Sequence, residues 1–125
     1  MTSSVTIQIP GLPNRNVGPN VRHYHKTKNK YFQDEKLRFQ DYLVAHQCQF
    51  SPLKESVELE FKFYPSDKRK RDVDNLIACC KPWIDALQGF VIPDDSCQYL
   101  RSITARYEDR VDDYAYTVIT ISWKD

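Results

Sequence analysis

Val57-Glu58-Leu59-Glu60-Phe61-Lys62-Phe63-Tyr64 alternates apolar side chains with two glutamates, a lysine and a tyrosine. Successive side chains of an extended chain point to opposite faces, so a period of two buries one face and wets the other. The stretch predicts a half-buried strand. Working outward, Val5, Ile7 and Ile9 alternate with Thr6 and Gln8 before Pro10-Gly11, which predicts a short first strand. Residues 32–48 are rich in helix formers, with Phe32, Phe39, Leu43 and His46 at helical spacing, and predict an amphipathic helix. On that spacing His46 is a packing or surface residue rather than a ligand. Downstream, Asp74 or Asn75 would cap a helix reaching Leu87, with Leu76, Cys80, Trp83 and Leu87 on one stripe and Gly89 as its stop. Pro82 falls inside this helix, removes the bond to the Ala78 carbonyl, and should kink it or begin a new turn. Residues 100–107 and 114–123 predict two more strands, the second with Ala115, Thr117, Ile119, Ile121 and Trp123 on one face. The polar segment 108–113 between them predicts a hairpin turn. The order is β-α-β-α-β-β, too few elements for a doubly wound sheet, and the natural packing is a two-layer α+β sandwich with a small mixed sheet and two helices.

A chain of 125 residues makes one domain, large enough to bury a core without disulfide staples. With 41% hydrophobic and 28% charged residues it belongs with soluble globular proteins. No run is long and apolar enough to span a bilayer, and residues 1–4 lack the start of a secretory signal, so a cytoplasmic location is expected. Cys48, Cys79, Cys80 and Cys97 form no C-x-x-C pair and have no histidine at ligand spacing, which argues against zinc and redox motifs. Adjacent Cys79 and Cys80 suit small buried helix positions in a reducing compartment.

The formal net charge is only +1, but the charges are segregated. Lys68-Arg69-Lys70-Arg71 runs directly into Asp72-Val73-Asp74-Asn75 just past the strongest strand, and Asp94-Asp95 follow some twenty residues later. If the backbone were extended there, Asp72 and Asp74 would share a side and repel each other unless a cation sat between them. A hard divalent ion is usually held by one or two carboxylates together with waters and phosphate oxygens, which fits the pattern. The basic run beside it could hold the phosphate. Residues 12–30 form a second basic region, broken by Pro13, Asn14, Gly18, Pro19 and Asn20 into a predicted long loop. Within it Arg15, Arg22, Lys26, Lys28 and Lys30 meet no acid, and His23, Tyr24 and His25 are interleaved. A DNA-contacting arm is favoured over a solvated connector, because cations bind phosphates and a tyrosine can stack or hydrogen-bond.

These residues resemble the RusA family of Holliday junction resolvases, small phage and prophage endonucleases that cut four-way DNA junctions. The resemblance rests on Arg71-Asp72-Val73-Asp74-Asn75-Leu76, Lys81, Asp85-Ala86-Leu87 and Ile92-Pro93-Asp94-Asp95-Ser96, and on the early Pro13-Asn14-Arg15 with its basic loop, so it covers most of the chain. It implies that Asp72, Asp74 and Asp95 bind Mg2+, with Mn2+ as a possible substitute. It further implies a homodimer acting on branched DNA in recombination and repair. The family's essential lysine stands four residues after the second aspartate, where this chain has Ala78; Lys81 instead keeps the spacing to Asp85. Three helical residues rotate a side chain by roughly 300°, which keeps Lys81 within reach of the site.

The expectation is therefore a metal-dependent endodeoxyribonuclease in which Asp72, Asp74 and Asp95 hold metal and Lys81 stabilises developing charge. Arg15, Arg22, Lys26, Lys28, Lys68, Arg69, Lys70 and Arg71 would grip the DNA backbone. Two alternatives stand beside it. One is a basic nucleic-acid-binding module whose D-x-D merely caps a helix and pairs with its own arginines. The other is a nuclease for flaps, D-loops or branched DNA in general.

Overall fold

In β2 (Val57–Tyr64) the alternation sorts side chains by face: Val57, Leu59, Phe61 and Phe63 are buried, while Glu58 and Glu60 are exposed. β2 belongs to a computed structural model that describes residues 1–125 apart from Asn20, His23 and Tyr24; the readings made on those three lie outside the described residues. The remaining elements are β1 (Thr2–Pro10), a 3-10 turn (Arg15–Val17), α1 (His25–Ala45), α2 (Val73–Ala78), α3 (Lys81–Asp85), β3 (Leu100–Tyr107) and β4 (Tyr116–Lys124). The four strands form one mixed sheet in the order β1-β4-β2-β3. β4 is antiparallel to both neighbours, and β3 is parallel to β2. Register places Ile7, Ile119 and Phe61 in one row across the sheet and Val5, Ile121 and Leu59 in the next. Burying each such side chain contributes roughly 1.5–3 kcal/mol. The helices supply Phe39, Leu43, Leu76, Trp83 and Ile84 to the same core, which makes an α+β fold of two layers.

Three expectations change. The last two strands are not a hairpin, because β2 lies between them. Parallel strands need a long crossover, usually helical, and residues 65–99 provide it through α2 and α3. Residues 108–115 then cross the end of β2, held by the Glu108 amide donating to the Phe63 carbonyl at 2.9 Å.

α1 begins at His25, earlier than the apolar pattern suggested, and takes in Lys26, Lys28 and Lys30 from the presumed loop. Lysine is a good helix former, so the helix extends beyond its buried stripe. Phe39 and Leu43 form that stripe, whereas His46 lies past the helix end and is exposed.

The predicted helix ending near Leu87 is two helices. Pro82 occupies the second position of α3, after a break at Cys79 and Cys80, and the expected stripe of Leu76, Cys80, Trp83 and Leu87 is buried. Gly89, with φ of +80°, sits in the following turn, where its amide donates to the Ile92 carbonyl at 2.8 Å. Left-handed backbone of this kind favours glycine.

Candidate active site

The crossover from β2 to β3 leaves the sheet at Pro65 and must turn within a few residues to start α2. Asp67 organises that turn. Its carboxylate accepts two hydrogen bonds from the Arg71 guanidinium, at 2.9 and 3.1 Å, and one from the Arg69 amide at 3.0 Å. Arg71 also donates to the Tyr107 hydroxyl at 3.0 Å, which ties the turn to the end of β3. Such two-pronged arginine–carboxylate contacts are among the stronger polar interactions. The Arg71 hydrogen bonds, with the Arg69 amide, hold the Asp67 carboxyl down from 3.8 to about 2. Arg71 is thus mostly buried and engaged, while Lys68, Arg69 and Lys70 project into solvent. Asp67 and Tyr107 were missed in the sequence. The only local signal for Asp67 was its i, i+4 spacing to Arg71, and the segment does not form a helix.

Asp72 is the N-cap of α2, replacing the expected Asp74 or Asn75. Its backbone is extended, whereas Asp74 already lies in the first helical turn. The two carboxylates therefore straddle a strand-to-helix transition instead of sharing one side of an extended chain. Asp72 makes no side-chain capping bond; its Oδ2 accepts from Asn75 Nδ2 at 3.4 Å. Asp74 accepts from the Asn75 amide at 3.0 Å. Both are exposed, and among the described residues neither is salt-bridged to a cation, because the nearby arginines pair with Asp67.

The early basic segment meets this turn in a cleft of about 440 Å³, lined by Pro13, Arg15, Arg69, Lys70, Arg71, Asp72, Asn75 and Cys79 among others. Local chemistry explains why Arg15 arrives there. Asn14 accepts from the Asn16 amide at 3.0 Å and caps the 3-10 turn, Pro13 and Val17 are buried, and Gly18 lies against α2. A Cβ on Gly18 would come within 2.7 Å of Cys79 Sγ. Burial raises the Cys79 thiol pKa, and the Lys28 ammonium partly offsets the effect, so the charge of α1's first turns is felt at the cleft wall. α1 has no acidic residue in its first turn, where Lys26 and Lys28 stand instead. Arg22 and Lys26 are exposed and Lys28 is half-buried.

The third carboxylate lies across the α2–α3 break. Lys81, the first residue of α3, donates to Asp95 Oδ2 at 2.6 Å and to Asp85 Oδ1 at 2.7 Å. Lys81 thus lies against the later aspartate, while Ala78, at the position of the family's lysine, ends α2. Of the adjacent pair, Asp94 is used locally, accepting from the Ser96 amide at 2.8 Å. Burial alone would lower the Lys81 pKa, but the hydrogen bonds its ammonium donates to Asp85 and Asp95 outweigh it and the net shift is upward. Lys81 in turn lowers the Asp95 pKa. Half-exposed ion pairs of this kind contribute only about 0–1 kcal/mol.

Asp72, Asp74 and Asp95 are not gathered into a three-ligand cluster among the described residues. The donor chemistry nevertheless suits a hard cation. Asp72 and Asp74 offer uncommitted oxygens, and Asp95 with Asp85 already holds a cation, the chain's own ammonium. Glu35 ties α1 to α3 by accepting from Trp83 Nε1 at 3.2 Å, and it also accepts from Arg38 at 3.1 Å, which in turn joins the helices to the sheet by donating to the Pro10 carbonyl at 2.7 Å. All four cysteines are free, and Cys79 and Cys80 are buried as expected. Among the described residues no helix is long and apolar enough to cross a membrane.

No curated protein matches the chain. A family model described as endodeoxyribonuclease RusA matches residues 11–122, a span that runs from the loop carrying Arg15, through the Asp72 turn and Asp95, into β4. Most of the chain lies within that span, and the chain belongs to the RusA endodeoxyribonuclease family.

Proposed function

We propose that this member of the family is a divalent-metal-dependent, structure-selective endonuclease that resolves four-way DNA junctions by paired symmetric nicks during recombination and repair. The division of charge in the turn carries this reading: Asp67 takes the arginines, while Asp72 and Asp74 stand exposed without a cation among the described residues. Asp72 stands at the N-cap of α2 but makes no side-chain capping bond, and neither aspartate pairs with the arginines, which counts against the non-catalytic alternative.

Asp72, Asp74 and Asp95 would hold Mg2+, or Mn2+ in its place. The bound ion supplies an activated water and neutralises charge at the scissile phosphate. The chain's own cations do the rest. Arg15, Arg69 and Lys70 converge on the cleft and grip backbone phosphates without reading bases. Lys68, Arg22, Lys26 and Lys28 extend that surface. Arg71, fixed by Asp67 and Tyr107, holds the turn that presents its neighbours. Lys81 places an ammonium where negative charge develops on the leaving oxygen. Two symmetric nicks require two such sites, which a two-fold homodimer in the cytoplasm provides most simply.

The test is Asp74→Asn, assayed with Mg2+ on labelled four-way junctions, flaps, D-loops and linear duplex. Cleavage should be lost while junction binding survives. Cutting at the wild-type rate would remove Asp74 from the metal site, and equal wild-type cutting of flaps and junctions would replace junction resolution with general branched-DNA cleavage.

A further inference from the structure

Arg71 stands between two hollows in the surface. It lines the cleft shared with Arg15, Lys70 and Asp72, whereas its partners Asp67 and Tyr107 line a neighbouring hollow of about 420 Å³ with Pro65 and Arg110. A guanidinium carries five N–H donors in one plane. Nη1 of Arg71 gives both of its hydrogens away, to Asp67 Oδ1 at 2.9 Å and to the Tyr107 hydroxyl at 3.0 Å, and Nη2 gives one, to Asp67 Oδ2 at 3.1 Å. The donors that remain, on Nε and Nη2, lie side by side along one edge, and among the described residues no group accepts from them. Two parallel N–H bonds match two oxygens of a phosphate. The Arg71 side chain is 19% exposed and fixed, whereas Lys68, Arg69 and Lys70 project into solvent and lose rotamer freedom on gripping a phosphate. We propose that Asp67 and Tyr107 are positioning residues that lock the Arg71 guanidinium, so that its remaining edge takes one backbone phosphate of the DNA from the cleft side as a two-pronged ligand. This rests on the DNA-binding reading of the cleft and is independent of any metal. Because Asp67 already balances the charge of Arg71, the contact supplies geometry and hydrogen bonds rather than net attraction, and it fixes the register of the strand against the turn.

The full chain, titrated with a four-way junction in EDTA, tests the idea without metal or cleavage. In wild type the Nε–H signal of 15N-labelled Arg71, assigned by its loss in Arg71→Lys, should shift as the junction binds. A signal that stays in place while binding saturates would overturn the inference. Tyr107→Phe, which removes one hydroxyl, should weaken binding roughly three- to tenfold with an unchanged log–log salt slope, because no charge is lost. That loss should persist in full on an Arg69→Ala/Lys70→Ala background and vanish on an Arg71→Lys background. Persistence on Arg71→Lys, or disappearance without Arg69 and Lys70, would mean that Tyr107 serves only the shape of the turn, and would refute the positioning of Arg71. Asp67→Asn should also weaken binding, roughly threefold or more, although it removes a negative charge beside the cleft. Tightening, the result of charge alone, would refute the role of Asp67. Wild-type binding indifferent to Arg15→Ala, Arg69→Ala and Lys70→Ala would refute the DNA-binding cleft itself. Binding that needs those cations while Tyr107→Phe changes nothing would refute this inference alone.

Discussion

Gly18→Ala isolates the contact that holds the early basic segment against the Asp72 turn. Gly18 has φ of −78° and ψ of 163°, ordinary extended backbone that alanine adopts freely, so the substitution carries no dihedral penalty. The cost comes from the added methyl. It would stand 2.7 Å from Cys79 Sγ and 3.1 Å from the Arg15 carbonyl oxygen, where ordinary contact begins at 3.4 Å, so the larger clash, with the sulfur, must be relieved by about 0.7 Å. Cys79 is buried at the end of α2 and has little room to retreat, so the loop moves. Overpacking of this kind costs about 1–3 kcal/mol. At roughly 4 °C per kcal/mol for a domain of this size, the midpoint of thermal unfolding should fall by about 4–12 °C. Arg15, three residues before Gly18, moves with the loop, and four-way junction binding should weaken. Urea and thermal unfolding, with junction titration at fixed salt, measure both effects. The diagnostic is the double variant Gly18→Ala/Cys79→Ala, which removes the colliding sulfur. It should be more stable than the sum of the single effects by about 1 kcal/mol or more, and should recover binding. Strict additivity would refute the packing argument.

Two further outcomes follow from the turn itself. Asp67 has its pKa lowered in the folded protein, so its contribution to stability is present above 3.8, the ordinary value, and is lost as the pH falls towards about 2. Acid unfolding of Asp67→Asn should be flatter than wild type across that window, and identical slopes would remove the Arg71 pair as the cause. Replacing Arg69 and Lys70 by alanine should weaken junction binding and reduce the magnitude of its log–log salt slope by about 0.9 for each phosphate that is no longer neutralised. An unchanged slope would take both side chains out of the interface.

How much of this was legible before folding depends on which forces act locally. The β2 alternation and the Pro82 break were readable, because one reflects a face being buried and the other a missing donor. The β3–β4 hairpin was misread for an instructive reason. A short polar segment between two strands looks the same whether they pair or flank a third, and only the two helical turns after β2 hinted at a parallel partner. The candidate site residues Asp72, Asp74 and Asp95 stood out as charges without an economical purpose, and Lys81 through its family-like spacing to Asp85. Asp67 and Tyr107 did not, because each acts through a neighbour: Asp67 grips a cation four residues away, and Tyr107 arrives from another strand.

The place of β4 in the sheet has a consequence for when this molecule can act. β1 pairs only with β4, and β2 also depends on β4 for its antiparallel ladder, so the first and last strands in chain order close the sheet together, with Thr2 opposite Lys124. Pairings of such high sequence separation form late and slowly. The cleft borrows one wall from the loop that follows β1 and the other from the turn that follows β2. Before β4 is in place, only the packing of α1 on α3 and of Gly18 on Cys79 ties those two walls together. The two walls of the cleft therefore take their final spacing only when β4 has joined β1 to β2 in one sheet.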